Sequence, residues 1–309
     1  MRLGVLDIGS NTGHLLVVDA RGGSAPLPAF SFKEPLRLAE HLVDGHVSRA
    51  GVQALTEFTR RAMVYAAEHG CQETLAFATS AVREADNTAE VIAAVEAATG
   101  TRIEVLPGED EARLTFLAVR RWFGWSAGRL AVFDIGGGSL EIAGGADEAP
   151  DVAWSVPLGA ARLARRWATW DMEESTVQSL RLQIRAELAR DAGDLLRGGP
   201  PDRAVATSKT FRSLARLCGA APSGEGPLVP RVLGRDAVSE WIPRLAEMPV
   251  AQVATLPGVS QNRAHQVLPG ALVAEAVMDI FNVGELEICP WALREGVILE
   301  RIDQISVLG

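Results

Sequence analysis

LGVLDIGSNTGHLLVVD, from Leu3 to Asp19, is an apolar run, a tight Gly/Ser/Asn turn and a second apolar run. Each run is short and aliphatic and the turn residues punctuate them, so the stretch reads as a buried strand, a turn and a returning strand. The design recurs 127 residues later in LAVFDIGGGSLEI, Leu130 to Ile142, where Asp134-Ile135-Gly136 aligns with Asp7-Ile8-Gly9 and Val132 with Val5. Two such hairpins, each opening a region, predict two halves of related architecture.

Working outward, strand and helix alternate. Gly51–His69 carries Val52, Leu55, Phe58, Ala62, Tyr65 and Ala66 on one helical face and stops at Gly70. Strand 74–79 follows. Asn87, with Glu90 three residues on, predicts a capped helix closing at Gly100. Strand 103–106 and helix 109–123 complete the first half. The second half reads as strand 152–156, one long helix 174–196, strand 204–207, a loop over 219–230, helix 270–281, the strand LEIC and a helix from Leu293 to about Asp303. This is an α/β chain with mixed sheets. The predicted domains are 1–123, completed by the C-terminal helix 294–309, and 124–293.

Composition narrows the function. The 309 residues carry a formal charge of -9 with 48% apolar and 22% charged residues, which fits a soluble globular protein and argues against nonspecific nucleic-acid binding. No apolar run approaches the ~18 residues of a membrane span, and Asp7 interrupts the N-terminal apolar stretch where a signal peptide is uniform. Three scattered cysteines, Cys71, Cys218 and Cys289, read as reduced core thiols of a cytoplasmic protein. Charge is uneven: residues 151–220 hold eleven Lys/Arg against eight Asp/Glu. That segment suits an anion inside an acidic chain. Its arginines Arg162, Arg165, Arg166, Arg181 and Arg185 read either as a solvated helix face or as the route of a polyanion. Trp122, Trp125, Trp154, Trp167 and Trp170 read as core or domain-interface residues, and the five histidines lack metal-ligand spacing.

In each hairpin a strand delivers a carboxylate to its end, and small residues then let backbone N–H groups approach phosphate oxygens. Asp7 and Asp134 can hold a divalent cation, directly or through water. Two loops in the same register suit one phosphate chain bracketed from both sides.

DIGSN at Asp7, TSAVREADN at Thr79–Asn87, GEDEARL at Gly108–Leu114, DIGGGSLE at Asp134–Glu141, LPGVSQNRAHQVLPG at Leu256–Gly270 and LREGVILE at Leu293–Glu300 together resemble the exopolyphosphatase and guanosine pentaphosphate phosphatase family, in the family's order. The resemblance implies two actin-like (ribonuclease H-like) ATPase domains with an interdomain active-site cleft, in the family's short two-domain form. It assigns catalysis to Glu111, a carboxylate that orients and deprotonates water in line with the terminal phosphorus. Asp134 and Glu141 are the implied Mg²⁺ ligands, with Asp7 contributing through water and Mn²⁺ as a substitute metal. Gly9, Ser10, Asn11, Gly136, Gly137, Gly138 and Ser139 bind phosphate, and Arg83 clamps its oxygens. Ser208, Lys209 and Thr210 occupy the place of a GxSGT-like phosphate loop, where Lys209 replaces the glycine and puts a point charge in reach of phosphate.

The implied activity is removal of terminal orthophosphate from inorganic polyphosphate. Alternatives are hydrolysis of guanosine pentaphosphate, which the same motifs serve, and a non-hydrolytic polyphosphate or nucleotide sensor, which intact Glu111, Asp134 and Glu141 count against. A sugar or acetate kinase needs an adenosine pocket for which no motif is present. No nucleic acid or membrane is expected as a partner, and a homodimer is the assembly considered.

Overall fold

The computed structural model describes residues 1–21 and 26–308. The chain divides into two compact units, Met1–Leu114 with Leu293–Gly309, and Thr115–Ala292. The division falls inside the helix that was expected to end the first domain at residue 123. Leu114 packs with Ile298 and Ile302 of the C-terminal helix, which draws the first turns of that helix into the first unit.

In the first unit β1 (Arg2–Ile8), β2 (Thr12–Asp19) and β3 (Leu27–Pro35) form an antiparallel meander. A small ribbon, β4 (Leu42–Val43) and β5 (His46–Val47), precedes α1 (Arg49–Glu68), β6 (Glu73–Ala78), α2 (Ser80–Arg83), α3 (Thr88–Thr99), β7 (Glu104–Val105) and α4 (Gly108–Phe123). The sheet order is β3-β2-β1-β6-β7, parallel from β1 to β7. β1 is buried on both faces. Leu6 and Ile8 join Leu15, Val17, Leu55 and Phe58, while Leu3 and Val5 join Leu114, Ile298 and Ile302. The two-residue period of a strand therefore puts Asp7 on the face of Leu3 and Val5. Gly13 is required in β2, because a Cβ there would lie 2.3 Å from the Phe58 ring.

The second unit begins with the last turns of α4 and repeats the plan with β8 (Leu130–Ile135), β9 (Leu140–Gly145) and β10 (Val152–Val156). There follow α5 (Ala160–Arg166), α6 (Glu174–Ala189), α7 (Ala192–Arg197), β11 (Arg203–Thr207), α8 (Ser208–Leu217), β12 (Val232–Gly234), α9 (Arg235–Glu247), α10 (Val250–Val253), α11 (Val267–Ile280) and β13 (Glu285–Ile288). α12 (Leu293–Leu308) returns to the first unit. The order β10-β9-β8-β11-β13-β12 again sets an antiparallel meander beside parallel strands, with β12 antiparallel at the edge. Ala131, Phe133 and Ile135 of β8 enter one core with α5, α6, α8, α9 and α11. Asp134 consequently shares the opposite face with Leu130 and Val132.

Several expectations need correction. The helix expected over 174–196 breaks between Ala189 and Ala192, where Arg190 and Asp191 separate α6 from α7. The Asn87 side chain does not cap α3; it bonds the Val47 backbone on both sides, N–H to Oδ1 at 2.9 Å and Nδ2 to O at 3.1 Å. Trp125 and Trp170 are exposed, whereas Trp167 is buried and Trp122 meets Trp291 edge to face. Cys289 is a core thiol, but Cys71 and Cys218 are half-buried. Arg181 and Arg185 are not a solvated face, since they pair with Glu275 and Asp279 of α11. Among the described residues no helix is long and apolar enough to cross a membrane.

Candidate active site

The two hairpin turns share one geometry. Gly9 donates its N–H to Thr12 O at 3.1 Å, and Gly136 donates to Ser139 O at 2.9 Å. A Cβ on Gly9 would lie 3.8 Å from Asp7 Oδ1, and on Gly136 3.8 Å from Glu141 Oε2. The carboxylate beside each turn differs in origin: Asp7 of the outgoing strand in the first, Glu141 of the returning strand in the second.

The sheets differ in what they set beside the aspartate of the outgoing strand. In the second unit, strand register places Thr207, Asp134, Glu141 and Ser155 in one row across β11-β8-β9-β10. Ser155 Oγ donates to Glu141 Oε1 at 2.9 Å, fixing one carboxylate oxygen, and Glu141 is buried. The corresponding row in the first unit is Phe77, Asp7, His14 and Lys33 across β6-β1-β2-β3. There the cross-strand partner of the aspartate is a histidine. Arg294, from α12, lies 3.7 Å from Asp7 Oδ2 and donates to His14 Nδ1. Accepting at Nδ1 leaves the imidazole proton on Nε2, which faces Ser31 Oγ at 2.8 Å. Burial pushes the Asp7 carboxyl above its ordinary range, and Arg294 opposes the shift.

These rows test the expected metal ligands. Two facing carboxylates supply the hard oxygen donors that Mg²⁺ or Mn²⁺ takes, usually one or two from protein with water and phosphate completing the shell. Asp134 and Glu141 fit this. Asp7 is already met by a guanidinium. Among the described residues no group of three or more His, Cys, Asp and Glu has metal-binding geometry, so a site here relies on that one pair and on substrate oxygens.

Glu111 is buried in the first turn of α4. Its Oε1 accepts from Arg83 Nη1, which also donates to Leu106 O at 2.9 Å. The expected base and the expected phosphate clamp are therefore brought together as an ion pair, a contact no spacing in the sequence revealed. Ser10 and Ser139 are buried, and the Ser10 hydroxyl meets Ser80 Oγ at 3.1 Å. The Asn11 carbonyl is held by Leu36 and Arg37 N–H, both at 3.1 Å.

β11 ends at Thr207, whose Oγ1 donates to Trp291 O at 2.9 Å. Ser208 then turns with φ +90°, and its Oγ accepts from Phe211 N–H at 3.3 Å, starting α8. Lys209 Nζ donates to Gly258 O at 3.2 Å in a recess also lined by Thr210, Ser213, Arg263 and Gln266. Burial lowers the Lys209 pKa, and Arg212 and Arg263 lower it further. A carbonyl and two cations thus stand around the Lys209 ammonium.

The model of the Ppx/GppA phosphatase family matches residues 16–305. The chain belongs to that family. This Ppx/GppA phosphatase is 52% identical over 305 residues to Exopolyphosphatase 1 of Mycobacterium tuberculosis, covering 98% of this chain and 89% of the relative. It is 51% identical to Exopolyphosphatase 1 of Mycobacterium leprae, with 98% and 90% covered. Among solved structures, an exopolyphosphatase from Cytophaga hutchinsonii superposes with a TM-score of 0.88 at 22% identity, with 98% of each chain covered. The Aquifex aeolicus Ppx/GppA family member superposes at 0.82 with 23% identity, covering 99% of each. The expected actin-like α/β fold is the fold of this Ppx/GppA phosphatase.

Proposed function

We propose that the chain is an exopolyphosphatase, releasing terminal orthophosphate from inorganic polyphosphate in the cytoplasm. The observation that carries this is the 52% identity, across nearly all of both chains, to proteins named Exopolyphosphatase 1. The residues support the chemistry. Water attacks the terminal phosphorus as the anhydride P–O bond breaks, the shortened chain leaves as the phosphate anion, and the water proton passes to Glu111. A carboxylate paired with arginine is a poor base, so Glu111 works when the terminal phosphate draws the Arg83 guanidinium to itself. In the first unit the Ser10–Asn11 turn, and in the second the backbone N–H groups of Gly137–Ser139 and the Lys209 ammonium, are the groups that would take phosphate oxygens. Asp134 and Glu141 hold Mg²⁺, which supplies neutralisation of phosphate charge when bound.

Phosphate release from tripolyphosphate, long polyphosphate, guanosine pentaphosphate and ATP, measured side by side with Mg²⁺, tests the reading. Polyphosphates should be hydrolysed fastest. Turnover confined to guanosine pentaphosphate would move the chain to the alternative substrate, and binding without turnover would make it a sensor.

A further inference from the structure

The glycine loop of the second unit is gripped from behind by the helix that follows β10. Gly136 O accepts from Ala160 N–H at 3.1 Å, Gly137 O from Ala161 and Arg162 N–H at 2.9 Å each, and Gly138 O from Gly159 N–H at 3.2 Å. A side chain adds the last bond: Arg162 Nε donates to Gly138 O at 2.8 Å. Three consecutive carbonyls are thus turned toward the start of α5. In a trans peptide the C=O of one residue and the N–H of the next point in opposite directions. The N–H groups of Gly137, Gly138 and Ser139 therefore face away from α5, together. Three adjacent amides on one side form a concavity for an anion.

Gly159 makes the approach possible. A Cβ there would fall 2.2 Å from Gly138 C and 2.4 Å from both Gly138 N and Ser139 N, all backbone atoms with no freedom to yield.

We infer that Arg162 is a positioning residue for the phosphate-binding amides, and that Gly159 is the contact point where its helix docks on the loop. This rests on the proposed phosphohydrolase reading. Arg162 touches no reacting atom; it holds the Gly138 peptide with its donor outward. Arg162→Met keeps the packing stem and loses the donor, Arg162→Lys keeps a single donor, and Gly159→Ala drives a methyl into the loop.

On tripolyphosphate, Arg162→Met should lower kcat about 10- to 100-fold, the scale of a misaligned catalytic group. KM should rise less, the melting temperature should stay near the parent's, and Arg162→Lys should recover part of the rate. A lower melting temperature with kcat unchanged would make Arg162 merely structural and overturn the inference. Amide shifts of ¹⁵N-glycine-labelled protein titrated with inorganic phosphate give a readout independent of turnover. Gly137 and Gly138 should shift in the parent and weaken in Arg162→Met and Gly159→Ala. Equal shifts in parent and variants overturn the positioning role. No shift and no turnover in the parent instead overturn the phosphohydrolase reading beneath it.

Discussion

At the scale of single residues, the Arg83–Glu111 pair is the contact with the most to lose. Both side chains are largely withdrawn from water, at 18% and 7% exposed. Removing one partner of such a pair leaves a buried charge and costs about 3 to 5 kcal/mol. Arg83→Met should destabilise the protein by that order in urea unfolding, and adding Glu111→Gln should return a good part of it. Additive losses would mean the two groups are not coupled. Glu111→Gln alone should cut turnover by roughly 10²- to 10⁴-fold while substrate still binds. Lys209 offers a second test. Lys209→Met keeps the stem and should raise KM for tripolyphosphate with kcat and melting temperature little changed; parental kinetics would leave the lysine as a tether on Gly258. The lysine was legible as an oddity, one of two in the chain, but its tether to Gly258 joins residues 49 apart and no local pattern encodes it.

At the scale of elements, the hairpins were readable because an apolar run, a tight turn and a return are local events. The cap of α3 and the break after α6 were not, since Asn87 is claimed by the distant Val47 and periodicity alone runs through Arg190. The turn from β11 into α8 shows another limit. Lys209 stands in the place of a glycine, yet the left-handed residue is its neighbour Ser208. Strain of this kind costs about 1 to 3 kcal/mol, whereas exchanging a capping serine for glycine loses only about a few tenths. Ser208→Gly should therefore raise stability by about 1 kcal/mol, seen as a higher urea midpoint at constant m-value. The β1–β3 row makes a pH prediction. Burial, with Arg294 and then Lys33, lowers the His14 pKa from 6.5 to about 3. Between those values the unfolded chain binds a proton that the folded chain refuses, so stability falls as pH drops through the window, by at most about 1.4 kcal/mol per pH unit. His14→Gln should flatten that slope in unfolding measured from pH 7 to 4, and an unchanged slope would assign it elsewhere.

For the whole molecule, a chain of net charge -9 has to accept a polyanion. The basic segment 151–220 would answer part of that repulsion, and the divalent cation proposed for Asp134 and Glu141 would answer more. Chelation should abolish hydrolysis, and Asp134→Asn should move the Mg²⁺ titration of activity to higher concentration; a superimposable titration would place the cation elsewhere. The twofold plan itself was visible in the matched hairpins. What separates the halves chemically, Glu141 against His14 as the neighbour of the aspartate, is also written in the sequence but needs the strand register to be seen.

The first unit is closed by α12, so its parts leave the ribosome at very different times. Leu3, Val5 and Leu114 emerge first, and Ile298 and Ile302, which complete their core, arrive after Thr115–Ala292 has been synthesised. That is roughly 180 residues, a delay on the order of 10 to 40 s at ~5 to 20 residues per second. The continuous second unit has the whole of its sequence in hand before the first does. The nascent N-terminal sheet waits with one apolar face uncovered, the kind of surface that holdase chaperones bind. A released chain truncated after Ala292 should hold a folded second unit and a protease-sensitive first one.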